Sequence, residues 1–387
     1  MILRPKPEFL SDPALRAVLA ALPRARLVGG CVRDALLGRD VHDIDLATPD
    51  SPEAVIAALR AAGLKAVPTG LAHGTVTAIS NHRGFEVTTL RRDLETDGRH
   101  AVVAFTDDWQ ADAARRDFTI NALSMTAEAE VFDPFGGLPD LAAARVRFVG
   151  NAAARIAEDY LRVLRFFRFH ARYARGAPDA EALAAIRNAV PGLARLSAER
   201  VWSELKRILA GPDPAGTTAL MRETGVLQAV LPEAGDGTTL AAITEAGAPD
   251  DPVLRLAALI QADGTAAATR LKLSGAEATI LLALRAATAP ADAADDDTVR
   301  RALADTPKPI LIGASWLAGR ADTMRERLAA MPVPVFPLAG RDLASAGMQA
   351  GPALGTLLRD IRAWWLHGGC RADAAACRAE LARRMAG

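Results

Sequence analysis

Along the first 150 residues the hydrophobic positions recur with two periods in turn. "RLVGG" (26–30) is a short apolar run ending on two glycines, the pattern of a strand that turns at once. "CVRDALLG" (31–38) reads as one short helix closed by Gly38, and "DIDLA" (43–47) alternates polar and apolar like a half-buried strand. Asp50, Ser51 and Pro52 supply a cap and a first-turn proline for a helix that Gly63 ends. "GTVTAIS" and "FEVTTLR", on either side of residues 81–84, predict a β-hairpin, and "HAVVAF" predicts one more short strand. From Asn151 onward the period of two vanishes. Ala-, Leu- and Arg-rich amphipathic helices run to the end, punctuated by Pro and Gly. The pattern predicts an α+β chain: one mixed α/β domain followed by a long helical part in two or three sections.

A length of 387 residues exceeds what one core organises. Half the residues are hydrophobic and 24% are charged, the balance of a folded globular chain. The net charge is zero, so no global field draws a polyanion. The charge is uneven, however. Residues 155–207 hold 11 Arg and Lys against 6 Asp and Glu, whereas residues 233–305 hold 6 against 12. A basic middle and an acidic later stretch point to separate faces for separate partners. "APADAADDDT" (289–298) reads as an exposed acidic loop. Cys31, Cys370 and Cys377 are spaced for neither a zinc site nor a disulfide framework. "MILRPKPEFL" has no apolar run of signal-peptide length, and no stretch approaches a membrane span, so a reducing cytoplasm is the expected location.

The chemistry gathers in "LVGGCVRDALLGRDVHDIDLATP" (27–49). Residues i and i+2 on a strand share a side, so Asp43 and Asp45 are expected to repel each other unless a cation lies between them. Hard oxygen ligands of this kind suit Mg²⁺, which uses one or two carboxylates plus substrate phosphates. A bare D-x-D is more often a solvated strand end, but its surroundings change the reading. Gly29 and Gly30 stand where a strand meets a helix, where backbone N–H groups approach an anion, and Arg33 lies one turn further on. Glu86, alone among Phe, Val and Thr in "FEVTTL", is a third carboxylate. Three acids on neighbouring strands beside such a turn suggest two-metal phosphoryl transfer. His42-Asp43 is an HD dipeptide without a further His-Asp array, and the G-x-G-x-x-G spacing is absent, which sets aside a phosphohydrolase and a dinucleotide site.

"LVGGCVRDALLGRDVHDIDLATP", "FEVTTLRRD", "DGRH", "RRDFTINALSM", "DPFGGLPDL" and "EDYLRVLRFFRF" occur in this order. Together they resemble the class II CCA-adding tRNA nucleotidyltransferase and poly(A) polymerase family of the DNA-polymerase-β superfamily. The likeness is close over residues 27 to about 210 and weaker in "GRDLASAGMQAGPALGTLLRDIRAWWL" (340–366). It implies a nucleotidyltransferase head (1–150) with a mixed β-sheet, then an elongated all-α neck (151–211), body (212–335) and tail (336–387).

The resemblance also implies roles. Asp43 and Asp45 would bind catalytic Mg²⁺, with Glu86 the third catalytic carboxylate. Gly30 and Arg33 would contact the triphosphate. One of Arg115 and Arg116 would touch the nucleotide, and Asn121 its sugar. Asp159 and Arg162, three apart on what reads as a helix, would meet and offer a donor–acceptor edge to the base of CTP or ATP. Arg165 would lie near the nucleotide or RNA backbone, and Arg168, counted with the nucleotide-binding residues, is expected to have rotated away from Asp159. "RRDLETDGRHAVV" (91–103) resembles the family's flexible loop, which helps the switch from C to A addition. The basic stretch 155–207 would meet the tRNA acceptor end through phosphate and shape. Of Trp364 and Trp365, at least one is expected to be buried in packing. The activity implied is template-independent CCA addition to tRNA from CTP and ATP. The alternatives are a poly(A) polymerase, an enzyme adding only C or only A, and a non-catalytic RNA-binding protein.

Overall fold

A computed structural model describes residues 7–41, 43–96, 101–261, 264–349 and 351–386. The chain divides into two units, Met1–Pro232 and Glu233–Gly387.

The first unit begins with α1 (Pro13–Ala21), capped by Asp12. β1 (Arg26–Val28) leads through Gly29 into α2 (Gly30–Leu36), and β2 (Asp45–Thr48) leads into α3 (Pro52–Ala61), whose N-cap is Ser51 as its sequence requires. β3 (Lys65–Gly70), β4 (Thr75–Ser80) and β5 (Arg83–Thr89) follow. β6 (Arg91–Thr96) and β7 (Ala101–Phe105) pair with each other as a separate ribbon before α4 (Trp109–Ala114). β8 (Ser124–Met125) and β9 (Val131–Phe132) complete a seven-stranded sheet in the order β3-β4-β5-β2-β1-β8-β9. Its one parallel pair is β2 with β5, and there Asp45 stands directly opposite Glu86. One sheet face is closed by fully buried Leu27, Leu46, Leu59, Val76 and Ala78.

The β4–β5 hairpin is as read from the sequence, but tighter. Asn81 and His82 carry φ of 48° and 62°, a two-residue turn with both residues left-handed, and β5 starts at Arg83. β2 starts at Asp45, so Asp43 and Ile44 precede the strand. The expected loop at 91–103 is a correction in part, since its flanks pair as β6 and β7. Residues 97–100 lie outside the described residues, as does His42.

After α5 (Gly137–Ala142) the first unit is helical: α6 (Ala152–Glu158), α7 (Leu161–Tyr173), α8 (Ala180–Ala189), α9 (Ala198–Leu209), α10 (Pro214–Glu223) and α11 (Val226–Val230). α7 is the hinge of this arrangement in the packing sense. It buries Leu161, Val163, Leu164, Phe166, Phe167 and Phe169 on one side, leaving Arg162, Arg165 and Arg168 as a ladder on the other. Phe166 stacks on Phe148 at 5.8 Å, and Phe118 touches Phe148 at 5.0 Å and Phe169 at 5.1 Å, so aromatic rings weld α7 to the sheet domain. α9 packs along α7 and brings Arg200 and Glu204 to the ladder.

The second unit is helical from α12 (Thr238–Glu245) to α21 (Ala374–Ala386), with no strand among its described residues. Val299, Leu303, Leu311, Met324 and Leu328 form one core, and Leu338, Leu343, Ile361, Trp365, Cys377 and Leu381 another. Trp365 is buried and donates its indole N–H to the Ala372 carbonyl at 3.0 Å, while Trp364 is partly buried against the same core. The acidic stretch 289–298 is only partly a loop: Asp295 caps α16 (Asp296–Asp305), and the acids after it form the first turn, where the helix dipole favours them.

Truncating Phe166, fully buried among the rings of Phe118, Phe148, Phe167 and His170, is expected to destabilise the first unit by about 3–5 kcal/mol. Urea unfolding of Phe166→Ala followed by tryptophan fluorescence measures this; a loss below about 1 kcal/mol would mean the ring cluster does not hold α7 in place.

Candidate active site

Strand alternation sets the acids. Leu46, Phe85 and Val87 point into the core, so Asp45 and Glu86 are left on the exposed side, and Asp43, just before β2, is exposed as well. Parallel pairing then fixes Asp45 and Glu86 side by side. Partial burial pushes the Asp45 carboxyl above its ordinary pKa, the charge of Glu86 adds to this, Arg116 opposes it, and Asp43 adds a little more. None of the three carboxylates accepts a hydrogen bond or ion pair among the described residues. Adjacent like charges that no cationic side chain pairs directly are the donor set that a hard cation completes. Among the described residues no three His, Cys, Asp or Glu side chains close around an ion by themselves, so such an ion would draw ligands from water or substrate as well.

Beside the acids lies a cleft of about 560 Å³. Its walls are the start of α2, Asp45 on β2, the segment after α4, and the exposed faces of α7 and α9. Arg33, Arg115, Arg116, Arg162, Arg165, Arg168 and Arg200 line it, against Asp45, Asp117 and Asp159, with no lysine. A surplus of four positive charges in a concave site favours a polyanionic occupant.

Gly29 makes the turn from β1 into α2 at φ +71°, a conformation a side chain resists. A Cβ there would also come within 3.0 Å of the Arg116 guanidinium. Gly30 lines the cleft. Arg33 is 6% exposed, and Asp34 holds it with two bonds of 3.0 and 2.8 Å. Tyr173 stacks on it at 4.2 Å, and it donates to the Asn121 side chain. Asn121, in a single 3-10 turn, donates in turn to Asp117 at 2.9 Å. Both ends of its amide are therefore engaged within the protein, although the residue borders the cleft.

Arg115 and Arg116 both line the cleft, and one carboxylate anchors both. Asp112, 3% exposed, accepts from Arg115 Nε at 2.9 Å and pairs with Arg116 at 3.2 Å. The two arginines differ in outlook: the charge of Arg116 is the one felt by Asp45.

Asp159 and Arg162 are brought to the same cleft, and the Arg162 N–H donates to the Asp159 carbonyl at 3.0 Å, but their side chains take other partners, which corrects the single-helix reading. Asp159 is extended (φ −154°, ψ 105°) between α6 and α7, so the i,i+3 geometry does not apply to it. Its carboxylate accepts from the N–H of Leu161, the first residue of α7, at 3.0 Å and from Arg200 at 2.6 Å. Tyr160 next to it lies against Gly192, where any Cβ would overlap the ring. Arg162 pairs with Glu158 at 2.6 Å and donates to the carbonyls of Arg155 and Arg115, each at 2.9 Å. Arg165 grips Asp117 at 2.8 Å. Arg168 also lines the cleft, held by Glu204 at 2.6 Å because α9 runs alongside.

Sequence reasoning missed Asp112, Asp117, Arg200 and Glu204 as builders of the site. Burial alone would raise the Asp117 carboxyl, but Arg165, Asn121 and the Phe118 N–H outweigh it and hold it below its usual range. The available signal was Glu204 on the apolar side of "ERVWSELKRIL", a charge that folding can place there only with partners.

Known proteins resemble this chain in sequence and in fold. Residues 25–147 match the family described as poly(A) polymerase head domain. Residues 177–236 match the one described as probable RNA and SrmB-binding site of polymerase A. The zebrafish (Danio rerio) mitochondrial CCA tRNA nucleotidyltransferase 1 is 38% identical over 358 residues, spanning 88% of this chain and 83% of that protein. The Geobacillus stearothermophilus CCA-adding enzyme is 41% identical over 211 residues, 54% of this chain and 50% of that one. The crystal structure of the Bacillus stearothermophilus CCA-adding enzyme in complex with CTP superposes with a TM-score of 0.75 at 26% identity, covering 96% of this chain and 98% of that chain. The Thermotoga maritima CCA-adding enzyme shares the fold, with a TM-score of 0.67 at 19% identity and 98% of each chain covered.

Asp117→Ala leaves Arg165 without its carboxylate and Asn121 without its acceptor. It is expected to cost about 3–5 kcal/mol at neutral pH. The folded Asp117 carboxyl titrates below its unfolded value of about 4, so its stabilisation is complete above that pH and is lost as pH falls through the lower, folded value. Urea unfolding of wild type and variant between neutral pH and pH ~2 should therefore show the gap closing only on the acid side; a gap independent of pH would sever Asp117's charge from the effect.

Proposed function

This chain belongs to the class II CCA-adding tRNA nucleotidyltransferase and poly(A) polymerase family, and we propose that it builds the CCA end of tRNA from CTP and ATP. The reaction is attack of the RNA 3′-hydroxyl on the α-phosphorus of the nucleotide, with pyrophosphate released. The observation that carries this reading is the Asp45–Glu86 pair: two carboxylates locked in register, without an ion-pair partner among the described residues, of which Asp45 lines a cleft walled by arginine.

The residues divide the work by chemistry. Asp43, Asp45 and Glu86 supply the oxygen ligands for divalent cations, which we take to be Mg²⁺. When bound, such ions lower the pKa of the attacking hydroxyl and neutralise charge on the triphosphate and leaving pyrophosphate. Gly29 and Gly30 leave room for phosphate oxygens close to the backbone, with Arg33 behind them. Arg116 is the member of the arginine pair assigned to the nucleotide, since its charge reaches Asp45, while Arg115 supports Arg162 through its carbonyl. Asn121 acts mainly by holding Arg33 and Asp117, and borders the sugar. Asp159 presents acceptors and Arg162 donors to the base from separate pieces of backbone. Arg165 and Arg168 line the path of the triphosphate or RNA backbone. The arginine-rich helices α7 to α9 meet the acceptor end through phosphate and shape.

The division into head, neck, body and tail (1–150, 151–211, 212–335, 336–387) belongs to this proposal, and so does the cytoplasm as the place of action. For the latter, the three cysteines are free thiols, and no helix among the described residues is long and apolar enough to cross a membrane. Poly(A) addition and C-only or A-only addition use the same acids and remain alternatives of product. A binding protein without catalysis would have no use for Asp45 and Glu86 as an unneutralised pair.

Incubating the protein with a tRNA that ends before CCA, Mg²⁺, CTP and ATP is expected to give C, C, A and then arrest. A long A tail would make it a poly(A) polymerase. Asp45→Ala should lower the rate by about 10³-fold or more while tRNA binding persists in a gel-shift assay; retained activity would remove Asp45 from the mechanism.

A further inference from the structure

Arg116 pairs with one carboxylate and shares its cleft with another. The first is Asp112, at 3.2 Å. The second is Asp45, which feels its charge. Asp45 and Glu86 have no cation of their own among the described residues. A guanidinium offers a planar fork of donors and binds carboxylates bidentately. An Arg116 without a tether would therefore be drawn toward Asp45, and would offset the charge that Asp45 shares with its neighbour Glu86.

The tether is built with some care. Asp112 is 3% exposed, so its charge is little screened by water. It lies on α4 three and four residues before Arg115 and Arg116, spacing that lets one carboxylate reach both. Its Oδ1 also accepts from the backbone N–H of Arg91 at the root of β6, at 3.3 Å, which fixes the carboxylate to the ribbon as well as to its own helix. The other hold on Arg116 is a long bond of 3.4 Å to the Asn121 carbonyl. Gly29 leaves space for the guanidinium where it now lies.

We infer that Asp112 is a positioning residue that holds Arg116 away from Asp45 and Glu86 and so keeps that pair open to a divalent cation. The inference rests on the proposed cation role of the pair. It makes a pattern that loss of packing alone would not produce: damage at Asp112 is repaired by removing the arginine it restrains.

The test is direct Mn²⁺ binding to the full-length protein, without nucleotide or RNA, followed by the loss of the free-ion electron paramagnetic resonance signal. Thermal melts confirm that each variant is folded. Wild type should bind Mn²⁺ and Asp45→Asn should lose that binding; equal binding by these two overturns the cation reading and this inference with it. Asp112→Asn is expected to weaken Mn²⁺ binding about tenfold or more, and Arg116→Gln added to it to restore affinity to within about twofold of wild type. Wild-type affinity in Asp112→Asn, or a double variant as weak as the single one, overturns the inference and leaves the cation reading standing. Should the buried Asn prevent folding, Arg116→Gln alone decides. It must bind Mn²⁺ at least as tightly as wild type, and weaker binding overturns the inference.

Discussion

Two carboxylates held side by side against their own repulsion organise this protein. Parallel pairing of β2 with β5 leaves Asp45 and Glu86 no way to separate, because a shift in register would turn Leu46 and Val87 out of the core. The sheet is thus a device for keeping like charges together, and the apolar face of the same strands supplies the energy that does it. Everything around the pair can be understood as a response to that charge: a glycine turn and arginines on the cleft side, and a second layer of acids behind the arginines.

That second layer distinguishes the cleft from a merely basic surface. Asp34 holds Arg33, Asp112 holds Arg115 and Arg116, Asp117 holds Arg165, Glu204 holds Arg168, and Asp159 is itself held by Arg200. Each guanidinium is oriented before any ligand arrives, so little side-chain entropy remains to be lost on binding. Because Arg162 and Arg155 donate to the carbonyls of Arg115 and Ala114 at the end of α4, the segment that reads a base and the segment that reaches the acids are one hydrogen-bonded body.

Much of this was legible in the sequence, for reasons that differ by element. The β4–β5 hairpin announced itself through β-branched alternation, and α3 through Ser51 and Pro52 at its start, because those signals are local. β8 and β9 are two residues each, and β3 is an edge strand with no buried residue, so none of them had a periodicity to detect. Gly30, Arg33, Asp43 and Asp45 were legible because their spacing is short, and Glu86 because it stands alone in an apolar strand, whereas the arginines after α4 and the residues of α7 came from the resemblance to a family. The partners that hold them were not legible, since Asp117 meets Arg165 across 48 positions and Arg200 meets Asp159 across 41. Asp159 was misplaced onto α7 for the same reason. The break before Leu161 accompanies the packing of Tyr160 on Gly192, a tertiary contact that helix spacing cannot anticipate.

The cleft carries its positive charge on guanidinium groups alone, with no lysine among the residues that line it. A guanidinium keeps its proton at any pH a cell reaches, whereas a lysine amine can lose its proton in a crowded basic site and become a nucleophile. The surface is therefore insensitive to the acyl donors that modify lysines, whether acetyl thioesters or acyl phosphates. Its attraction for a polyanion is a fixed property of the fold, unaffected by the metabolic state that lysine acylation reports.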